Sequence, residues 1–532
     1  MTFVTLYVIL IISIPMKKLH FPISFIFLLL FSSTIFTQTA YDCLDLKKLD
    51  EYIGKAREDW KIPGLSICIV KNDTLIYAKG FGIRDIQQEG KVDEHTVFAI
   101  ASNTKAFTSA ALSILADEGK ISLDDRVIDH LPYFELYDPY VTGEMKIRDL
   151  LCHRSGLVTF SGDLLWYGSS YSREEVIRRA KYLDPVYGLR EHYGYSNIMF
   201  LAAGEIIPAV VNMSWDEFLE QRFFDPLGMS RTNTSTSLLK DVDNVAMPHH
   251  VNILNGETMT IPYLNWDNIG PAGSINSSAY DMAQWIKLQL NEGKLGDNQI
   301  ISKERIWEMR SVHTPQNVSP GASRLWPSRH FYGYGLGWFL EDYHGKKIVG
   351  HGGGADGMIS KVTMVPEENL GFVVLTNSIN SVPTALSFYI LDMYFGAEEV
   401  KWSETFLRFF KASQEDNIKM EEEFAELRIP DTEPSLDLDE YTGTYGGEMY
   451  GNAEVVLEQD KLVVKFLPTP IFIGDLSHWH LDIFRIRLRD IPSLPMGTVQ
   501  FIINAEGKVE EMRINIPNPD FDFTELEFKK IE

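Results

Sequence analysis

The spacing of apolar residues changes twice between residues 65 and 375, and no other property of the chain limits its possible folds as strongly. Short apolar runs divided by turn residues, as in β-strands, stand at 65–70, 75–82, 335–342, 347–351, 359–365 and 370–375. Between these two groups, apolar residues recur three and four positions apart, which indicates helices. Strands at both ends with helices between them predict one antiparallel sheet whose first and last strands join, and therefore an α+β fold.

The first predicted helix begins near Ser102. Apolar residues spaced three and four apart between Phe107 and Leu115 predict one buried face, and Gly119 fits the end of the helix. The other predicted helices span 173–182, 198–210, 215–224 and 279–291.

The composition changes again after residue 400. Residues 401–428 are rich in Glu and Lys and end at Pro430, which indicates a helical linker over 401–435. Beyond it, strand-like runs stand at 453–457, 461–466, 480–488, 498–503 and 508–514. We therefore expect a main domain over 41–400 and a small all-β, barrel-like domain over 436–532.

Residues 1–40 contain two apolar runs, 3–14 and 21–36, with Lys17 and Lys18 before the second run. A basic stretch followed by an apolar one is the outline of a secretory signal peptide, here starting at Met16. The alternative is a membrane anchor, because the second run is nearly long enough to cross a bilayer. The sequence thus predicts a secreted or periplasmic protein that meets a membrane only through such an N-terminal anchor.

Composition argues against several kinds of partner and site. The formal net charge of −25 disfavours nucleic acid, because phosphate binding needs clustered Lys and Arg. Cys43, Cys68 and Cys152 are too few for a disulfide framework. No spacing of Cys and His suggests zinc, and His249 and His250 are too close together to ligate a metal from one helix face. We expect no metal and no organic cofactor.

Ser102 and Lys105 form a Ser-x-x-Lys motif, the first of three motifs with catalytic chemistry. Positions three apart lie on one face of a helix, so the lysine amine can reach the serine hydroxyl. Burial favours the neutral amine, which can then act as a base. Ser237 and Lys240 match the same pattern, but they lie in a polar loop where a solvated lysine is expected. Ser102 follows an apolar segment and opens a helix, which favours it as the nucleophile.

Tyr195 and Asn197 form the second motif, Tyr-x-Asn, just before an apolar helix. A phenol at such a site can relay protons, and an amide can orient a lysine and a substrate. Tyr263 and Asn265 have the same spacing, so this motif is weak by itself. A turn asparagine beside a packed tyrosine is the alternative interpretation of either pair.

The third motif is a histidine followed by three glycines, at the end of the apolar strand 347–351. Its residues are His351, Gly352, Gly353 and Gly354. Consecutive glycines in a strand usually allow another backbone or a ligand to approach closely. The alternative is a flexible turn with the histidine in solvent.

In this order, the three motifs resemble those of the penicillin-binding proteins and class C β-lactamases, a family that includes D-aminopeptidases and esterases. The similarity covers about residues 44–396, with further matches at 150–157, 201–207 and 270–274. It implies a β-lactamase/transpeptidase-like fold, an antiparallel sheet with helices on both faces plus a helical region. The segment 441–445, Tyr-Thr-Gly-Thr-Tyr, is similar to a lipocalin-like module often appended to such enzymes.

The resemblance implies catalytic roles for the first two motifs. Ser102 attacks an amide or ester carbonyl, and Lys105 and Tyr195 share the proton transfers. Asn197 orients these groups. Water then hydrolyses the acyl-enzyme, so no cofactor is needed.

The resemblance also implies that the third motif binds the substrate. Backbone N–H groups of Ser102 and Gly354 form the oxyanion hole, beside Gly352 and Gly353. His351 stands among the catalytic groups where many relatives carry a lysine, and Gly352 where many carry a hydroxyl. A histidine is mostly neutral at pH 7, so both changes weaken a pocket for a substrate carboxylate such as that of a β-lactam.

These departures favour a peptidase, D-aminopeptidase or esterase over a β-lactamase. The expected substrate is a small molecule or a short peptide, and peptidoglycan fragments are among the candidate partners. A β-lactamase remains an alternative, as does a non-catalytic receptor for penicillin or peptidoglycan. In a further alternative, the C-terminal domain docks a partner and the first domain is vestigial.

Overall fold

The computed structural model describes residues 44–252 and 256–531. They form a large α+β part followed by a small all-β part, which confirms the predicted fold class. The predicted signal or anchor at residues 1–40 lies outside the described residues, as does Cys43.

The first part contains fifteen strands among the described residues. They are β1 (Gly64–Lys71), β2 (Thr74–Asp85), β3 (Gln88–Lys91), β4 (Val97–Ala99), β5 (His249–Val251), β6 (Thr258–Thr260), β7 (Asn276–Ser278), β8 (Lys294–Leu295), β9 (Asn298–Gln299), β10 (Thr314–Gln316), β11 (Tyr332–Tyr334), β12 (Phe339–Tyr343), β13 (Lys346–Ala355), β14 (Met358–Val365) and β15 (Leu370–Thr376). Nine of them form one sheet in the order β10-β11-β12-β13-β14-β15-β1-β2-β3.

The α-helices surround this sheet and lead to the second part. They are α1 (Leu46–Asp59), α2 (Thr104–Asp117), α3 (Val127–His130), α4 (Pro139–Glu144), α5 (Ile147–Leu150), α6 (Arg173–Arg179), α7 (Asn197–Val211), α8 (Trp215–Leu219), α9 (Asp225–Leu227), α10 (Gly270–Gly273), α11 (Ala279–Leu290), α12 (Lys303–Met309), α13 (Pro320–Leu325), α14 (Val382–Phe395) and α15 (Trp402–Glu426).

The first and last strands predicted for the sheet lie side by side. β1 pairs antiparallel with β15, from Leu65 opposite Thr376 onward, and with β2 on its other side. Side chains alternate between the two faces: Val373 packs in the core with α2 and α11, and Val374 in the core with α1 and α14. Helices therefore cover both faces, as the resemblance implies.

The helix after Ser102 differs from its prediction. A 3-10 turn, Ala101–Asn103, comes first, and every residue of α2 from Thr104 to Ala116 is buried. The expectation of a single buried face is wrong because α7, α10 and α12 contact the sides of α2 that the sheet leaves open. Gly119 follows the helix with a φ of +68°, consistent with its predicted role at the helix end.

Helices α1 and α14 are absent from the sequence predictions. In α14 the residues from Ala385 to Asp392 are all buried, so no polar face breaks the apolar run and no helical period is visible. The strand predicted at 335–342 also begins too early, because β12 starts only at Phe339.

The open edge of β13 matters for the site. β12 pairs with β13 only as far as Gly350, which lies opposite Phe339. From His351 to Ala355, β13 is paired with β14 alone among the strands of the described sheet. Peptide groups on that free edge are available to a ligand.

The second part is a closed barrel of eight antiparallel strands. They are β16 (Gly443–Gly447), β17 (Gly451–Glu458), β18 (Lys461–Phe466), β19 (Ile473–His480), β20 (Ile483–Leu488), β21 (Gly497–Ile503), β22 (Val509–Asn515) and β23 (Phe528–Lys530). The strand predicted at 480–488 begins too early, because His480 ends β19 and a turn at Leu481 separates it from β20.

The predicted linker is the long helix α15, which contacts both parts. Near its start, Trp402 packs beside Trp326 of the first part. Near its end, Phe424 stacks on Trp479 of the barrel, and Glu421 pairs with Arg485 at 2.7 Å. Within the described ranges, no single helix is long and apolar enough to cross a membrane, although α7 and the segment Trp215–Leu227, bent by 83°, pass that test as a pair.

Candidate active site

Ser102 lies in the 3-10 turn between β4 and α2. The residue before it, Ala101, has a φ of +46°, which costs an L-residue about 1–2 kcal/mol and must be held by its surroundings. Asn103 Nδ2 donates to Ser360 Oγ at 2.7 Å, and that hydroxyl donates to the Ile100 carbonyl at 2.6 Å. These bonds fix the turn against β14, with Ser102 on the wall of a cavity.

Lys105 reaches back from the first turn of α2 to the serine. Its Nζ lies 3.1 Å from Ser102 Oγ and donates to Asn197 Oδ1 at 2.7 Å and to the Ala272 carbonyl at 2.9 Å. The lysine is fully buried. A neutral amine has two hydrogens and one lone pair, so two acceptors take the hydrogens and the lone pair remains for the serine proton.

The surroundings of Lys105 favour this neutral form. Burial lowers the pKa of its amine to about 7, although the nearby Asp163 carboxylate acts in the opposite direction. A group with such a pKa is partly unprotonated at neutral pH and can serve as a general base.

Tyr195 lies on the other side of the serine. An interaction with Ser102 lowers the pKa of its phenol, and the residue is only 8% exposed. Burial raises the pKa of the phenol well above its usual 10, more than the interaction with Ser102 lowers it. Tyr195 is therefore a neutral phenol at pH 7, suited to relaying a proton but not to removing the first one.

Asn197 joins Lys105 to a carboxyl group that the sequence analysis missed. While Asn197 Oδ1 accepts from Lys105, its Nδ2 donates to Asp163 Oδ2 at 2.7 Å, and Trp166 Nε1 donates to the other oxygen of Asp163 at 2.8 Å. Burial raises the pKa of Asp163 to about 7. A single acid before the apolar run Leu164–Tyr167 was the only sequence signal for it.

His351 faces the same centre, but not as a cation. It is 1% exposed, and its Nε2 lies 2.9 Å from the Tyr334 hydroxyl while Nδ1 lies 2.5 Å from the Gly352 carbonyl. Burial, together with the charge of Lys105, lowers the pKa of His351 to about 3. The neutral ring, with Nδ1 as donor and Nε2 as acceptor, satisfies both contacts, so His351 does not replace the lysine of relatives as a positive charge.

The three glycines after His351 differ in what they require. A Cβ on Gly353 would lie 2.1 Å from the Ile100 carbonyl oxygen and 2.9 Å from the Ser102 nitrogen, so only glycine lets β13 pass beside the Ser102 turn. Cβ atoms on Gly352 and Gly354 would meet nothing closer than 3.8 Å and 3.6 Å. The predicted close approach therefore holds at Gly353. The oxyanion-hole role of the Ser102 and Gly354 N–H groups stays a prediction.

His153 is a second buried residue that the motifs did not single out. Its ring stacks on Tyr195 at 4.1 Å between centroids, and its Nδ1 accepts from the Ser196 backbone N–H at 3.0 Å. Burial keeps the pKa of His153 well below its usual value. The neutral ring fixes the orientation of Tyr195.

The two alternative motif matches lie elsewhere. Ser237 and Lys240 are exposed, and Ser237 Oγ lies 2.7 Å from Ser235 Oγ. Tyr263 donates to the Ala246 carbonyl at 2.7 Å and has no hydrogen bond to Lys105. In the described ranges, no group of three or more His, Cys, Asp or Glu side chains is arranged for a metal ion.

A cavity of about 850 Å³ opens at Ser102 and takes its walls from both parts of the chain. The loop after β22 contributes Phe521, whose ring centroid is 4.4 Å from that of Tyr167. Glu525 holds this loop in place by accepting from the Gly162 N–H at 2.9 Å and from the Ser161 hydroxyl at 2.5 Å. No sequence pattern predicted that the barrel reaches the site.

Two family models match the chain. A model described as β-lactamase matches residues 49–387, and one described as a domain of unknown function, DUF3471, matches residues 427–530. The first contains all the motif residues, and the second contains the barrel.

Similar proteins and structures agree with this division. The chain is 26% identical to "Unguisins hydrolase ungD'" of Aspergillus campestris, over 88% of this chain and 89% of that protein. It is 30% identical to "Protein flp" of Staphylococcus aureus strain MW2, over 62% and 63%. An octameric penicillin-binding protein homologue from Pyrococcus abyssi has a similar fold, with a TM-score of 0.60 and 24% identity over 92% of this chain and all of that one. A D-stereospecific amidohydrolase from Streptomyces sp. aligns with a TM-score of 0.53 and 21% identity, over 67% of this chain and all of that one.

Proposed function

Because this chain belongs to the β-lactamase family of serine hydrolases, we propose that it cleaves an amide or ester bond through an acyl-enzyme on Ser102. The observation that carries the proposal is the contact between Ser102 Oγ and Lys105 Nζ at 3.1 Å. The amine has a pKa of about 7, so a nucleophile and a base suited to neutral pH stand within reach of each other.

Acylation begins when Ser102 Oγ attacks the substrate carbonyl and its proton passes to Lys105. The carbonyl oxygen becomes an oxyanion, which backbone N–H groups of Ser102 and Gly354 stabilise. Tyr195, beside Ser102, then delivers a proton to the leaving amine or alcohol and regains one from Lys105. The bond to the leaving group breaks, and the acyl group stays on Ser102.

Deacylation uses the same groups in reverse. A water molecule takes the place of the leaving group, and Tyr195 takes its proton while passing its own to Lys105. The new bond displaces Ser102 Oγ, which receives that proton from Lys105. Asn197 keeps the Lys105 amine aimed at Ser102 throughout, since its own amide is fixed by Asp163.

Within this reaction type, we favour a peptidase, D-aminopeptidase or esterase. His351 is buried with a pKa of about 3 and Gly352 has no hydroxyl, so neither supplies the charge-assisted contact that a β-lactam carboxylate needs at this strand. The hydrolase name of one similar protein supports the reaction type. β-Lactamase activity is the second candidate, supported by the family itself.

Intact-mass spectrometry tests the proposal. Mixing the protein with a 4-nitrophenyl ester, a D-alanine 4-nitroanilide and a penicillin should give turnover of at least one, with a transient acyl mass increase. Ser102→Ala should abolish both turnover and adduct while the fold persists, because alanine is tolerated at a helix start. Ser237→Ala is the matched control and should behave as wild type. Full activity in the Ser102 variant would show the assignment to be wrong, and a permanent adduct without turnover would favour the receptor.

A further inference from the structure

The cavity at Ser102 extends to the opposite face of the sheet. His351 lies across from Val362, on the face that carries α2, whereas Gly352 lies across from Lys361, on the face that carries α14. Residues of both faces line the same cavity, so the two sides communicate past the free edge of β13. We call the part on the α14 side the distal chamber. It is lined by Gly352, Lys361, Arg329, Glu341, Thr384 and Phe388.

The charges in the distal chamber do not balance. Arg329 and Glu341 form an ion pair, with side chains 12% and 17% exposed. Lys361 has no hydrogen bond or ion pair with any of the described residues. With Lys361 protonated, the chamber therefore has one excess positive charge, on a half-buried lysine that has no ion-pair partner among the described residues.

The strand in front of Lys361 leaves room for a ligand. A Cβ on Gly352 would lie 4.0 Å from Cδ of Lys361 and would meet only one other atom within that distance. No side chain at position 352 therefore separates the free edge of β13 from the lysine. The apolar ring of Phe388 on the chamber wall suits the hydrocarbon part of a ligand whose charged end meets Lys361.

We propose that Lys361 is a specificity residue that binds a carboxylate of the substrate in the distal chamber. This inference rests on the proposed function, because the carboxylate belongs to a molecule whose carbonyl is attacked by Ser102. Lys361, on the opposite face of the sheet, thus supplies the positive charge that His351 does not. Burial lowers the pKa of Lys361, against the opposing effect of Glu341, and a bound carboxylate would favour the charged form.

Two pairs of matched esters test this assignment, one for each side of the scissile bond. On the acyl side, mono-4-nitrophenyl suberate is compared with its neutral methyl ester. On the leaving side, 3-carboxyphenyl butyrate is compared with 3-carbamoylphenyl butyrate. The quantity measured is the ratio of kcat/KM for the acid to kcat/KM for the neutral partner.

In at least one pair, Lys361→Met should lower this ratio about tenfold or more, the usual effect of losing a charge-assisted hydrogen bond. Lys361→Arg should keep most of the ratio. If Lys361→Met folds poorly, Lys361→Gln takes its place and should lower the ratio by the same amount. Lys346→Met is the control, since Lys346 lies at the start of β13, pairs with Glu368 and is outside the cavity. Its ratios should equal those of wild type.

Unchanged ratios in both pairs for Lys361→Met, with the variant folded, would overturn the assignment while leaving the proposed function standing. If wild type hydrolyses none of the four esters, the proposed function rests on the anilide and penicillin assays above, and binding alone decides the role of Lys361. For that purpose, monomethyl suberate is titrated calorimetrically into Ser102→Ala protein with and without Lys361→Met. Weaker binding in the double variant supports the carboxylate site, and equal binding or none in either protein overturns it.

Discussion

Lys105 and Asp163 are two ionisable groups joined through one amide. Asn197 presents its oxygen to the lysine at 2.7 Å and its nitrogen to the carboxyl group at 2.7 Å, so its orientation is determined from both sides. Burial moves the pKa of each group to about 7, from opposite directions. Their protonation is coupled, and the pH dependence of the reaction belongs to the pair.

The first prediction concerns this pH dependence. Lys105 is active as the neutral amine, so kcat/KM should fall as the pH drops through about 7 and level off above it. The negative charge of Asp163 raises the pKa of Lys105, so Asp163→Asn should move the acidic limb to lower pH. The measurement is kcat/KM between pH 5 and 9 on a neutral ester that does not itself titrate.

Glu205→Gln is the matched control for this shift. Glu205 is also a largely buried carboxyl group with a raised pKa, but its partner is Arg173 and it lies outside the cavity. Its profile should coincide with that of wild type. If the acidic limb of the kcat/KM profile stays in place or moves to higher pH in Asp163→Asn, Lys105 is excluded as the group that titrates.

At the scale of elements, the site depends on two segments that touch without a side chain between them. β13 passes the Ser102 turn at Gly353, where an added Cβ would lie 2.1 Å from the Ile100 carbonyl oxygen. The same turn holds Ala101 at a positive φ. The position of the nucleophile relative to the free edge of β13 therefore depends on a glycine that performs no chemistry.

The second prediction follows from that contact. Gly353→Ala should push β13 away from the turn and lower kcat/KM about 100-fold, the usual cost of misplacing reacting groups by about 1 Å. Overpacking should also reduce the free energy of unfolding by about 1–3 kcal/mol. The value of kcat/KM is measured by ester hydrolysis, and the free energy of unfolding by urea denaturation.

Gly354→Ala, one residue along, has space for its methyl group, with the nearest atom at 3.6 Å. It should keep the unfolding free energy of wild type within about 0.5 kcal/mol. Equal stability and equal activity in Gly353→Ala and wild type would show that the close approach is not needed.

Sequence patterns predict the elements better than they predict the surroundings of the site. The hairpin of β1 and β2 and the contact of Lys105 with Ser102 follow from local spacing, and the pairing of β1 with β15 follows from strand patterns at both ends of the helical segment. The burial of Asp163 beside Asn197 and the lack of an ion-pair partner for Lys361 among the described residues do not, since only the folded chain creates them. The one-sided interpretation of α2 fails for the same reason: a helix enclosed by its neighbours has no polar face to reveal.

On the scale of the whole molecule, the barrel forms part of the wall of the cavity at Ser102. Phe521 lies against Tyr167, and Glu525 ties its own loop to Ser161 and Gly162. These contacts argue against the alternative in which the C-terminal domain docks a partner and the first domain is vestigial. The likeness of the barrel to a lipocalin stays a prediction.

The third prediction tests the shared wall. Phe521→Ala removes an apolar surface beside the acyl site, so KM for an apolar 4-nitrophenyl ester should rise about fivefold, equivalent to about 1 kcal/mol of lost contact. The value of kcat should change much less, because Phe521 contacts none of the reacting groups. Phe409→Ala, on the exposed side of α15, is the control and should leave both constants alone. A Phe521 variant with the constants of wild type would mean that substrate does not contact the barrel.

The fourth prediction concerns residues 1–39, which we propose to serve export. If these residues belong to export and not to the folded core, a chain starting at Ala40 should be soluble and as active as the longer one. Gel filtration and ester hydrolysis provide the measurement. Aggregation that is relieved only by restoring residues 21–36 would favour an anchor or a packed helix over a signal peptide.

The pairing of Leu65 with Thr376 has a consequence for how the chain acquires its structure. During synthesis, β1 and β2 emerge early, but the strand that completes the centre of the sheet is made only after all the intervening helices. A contact so distant in sequence closes slowly, and until then β1 presents an unpaired edge and apolar faces. Chains that stop before residue 376 should therefore aggregate as nascent fragments, and productive folding of the first part should wait until β15 has left the ribosome.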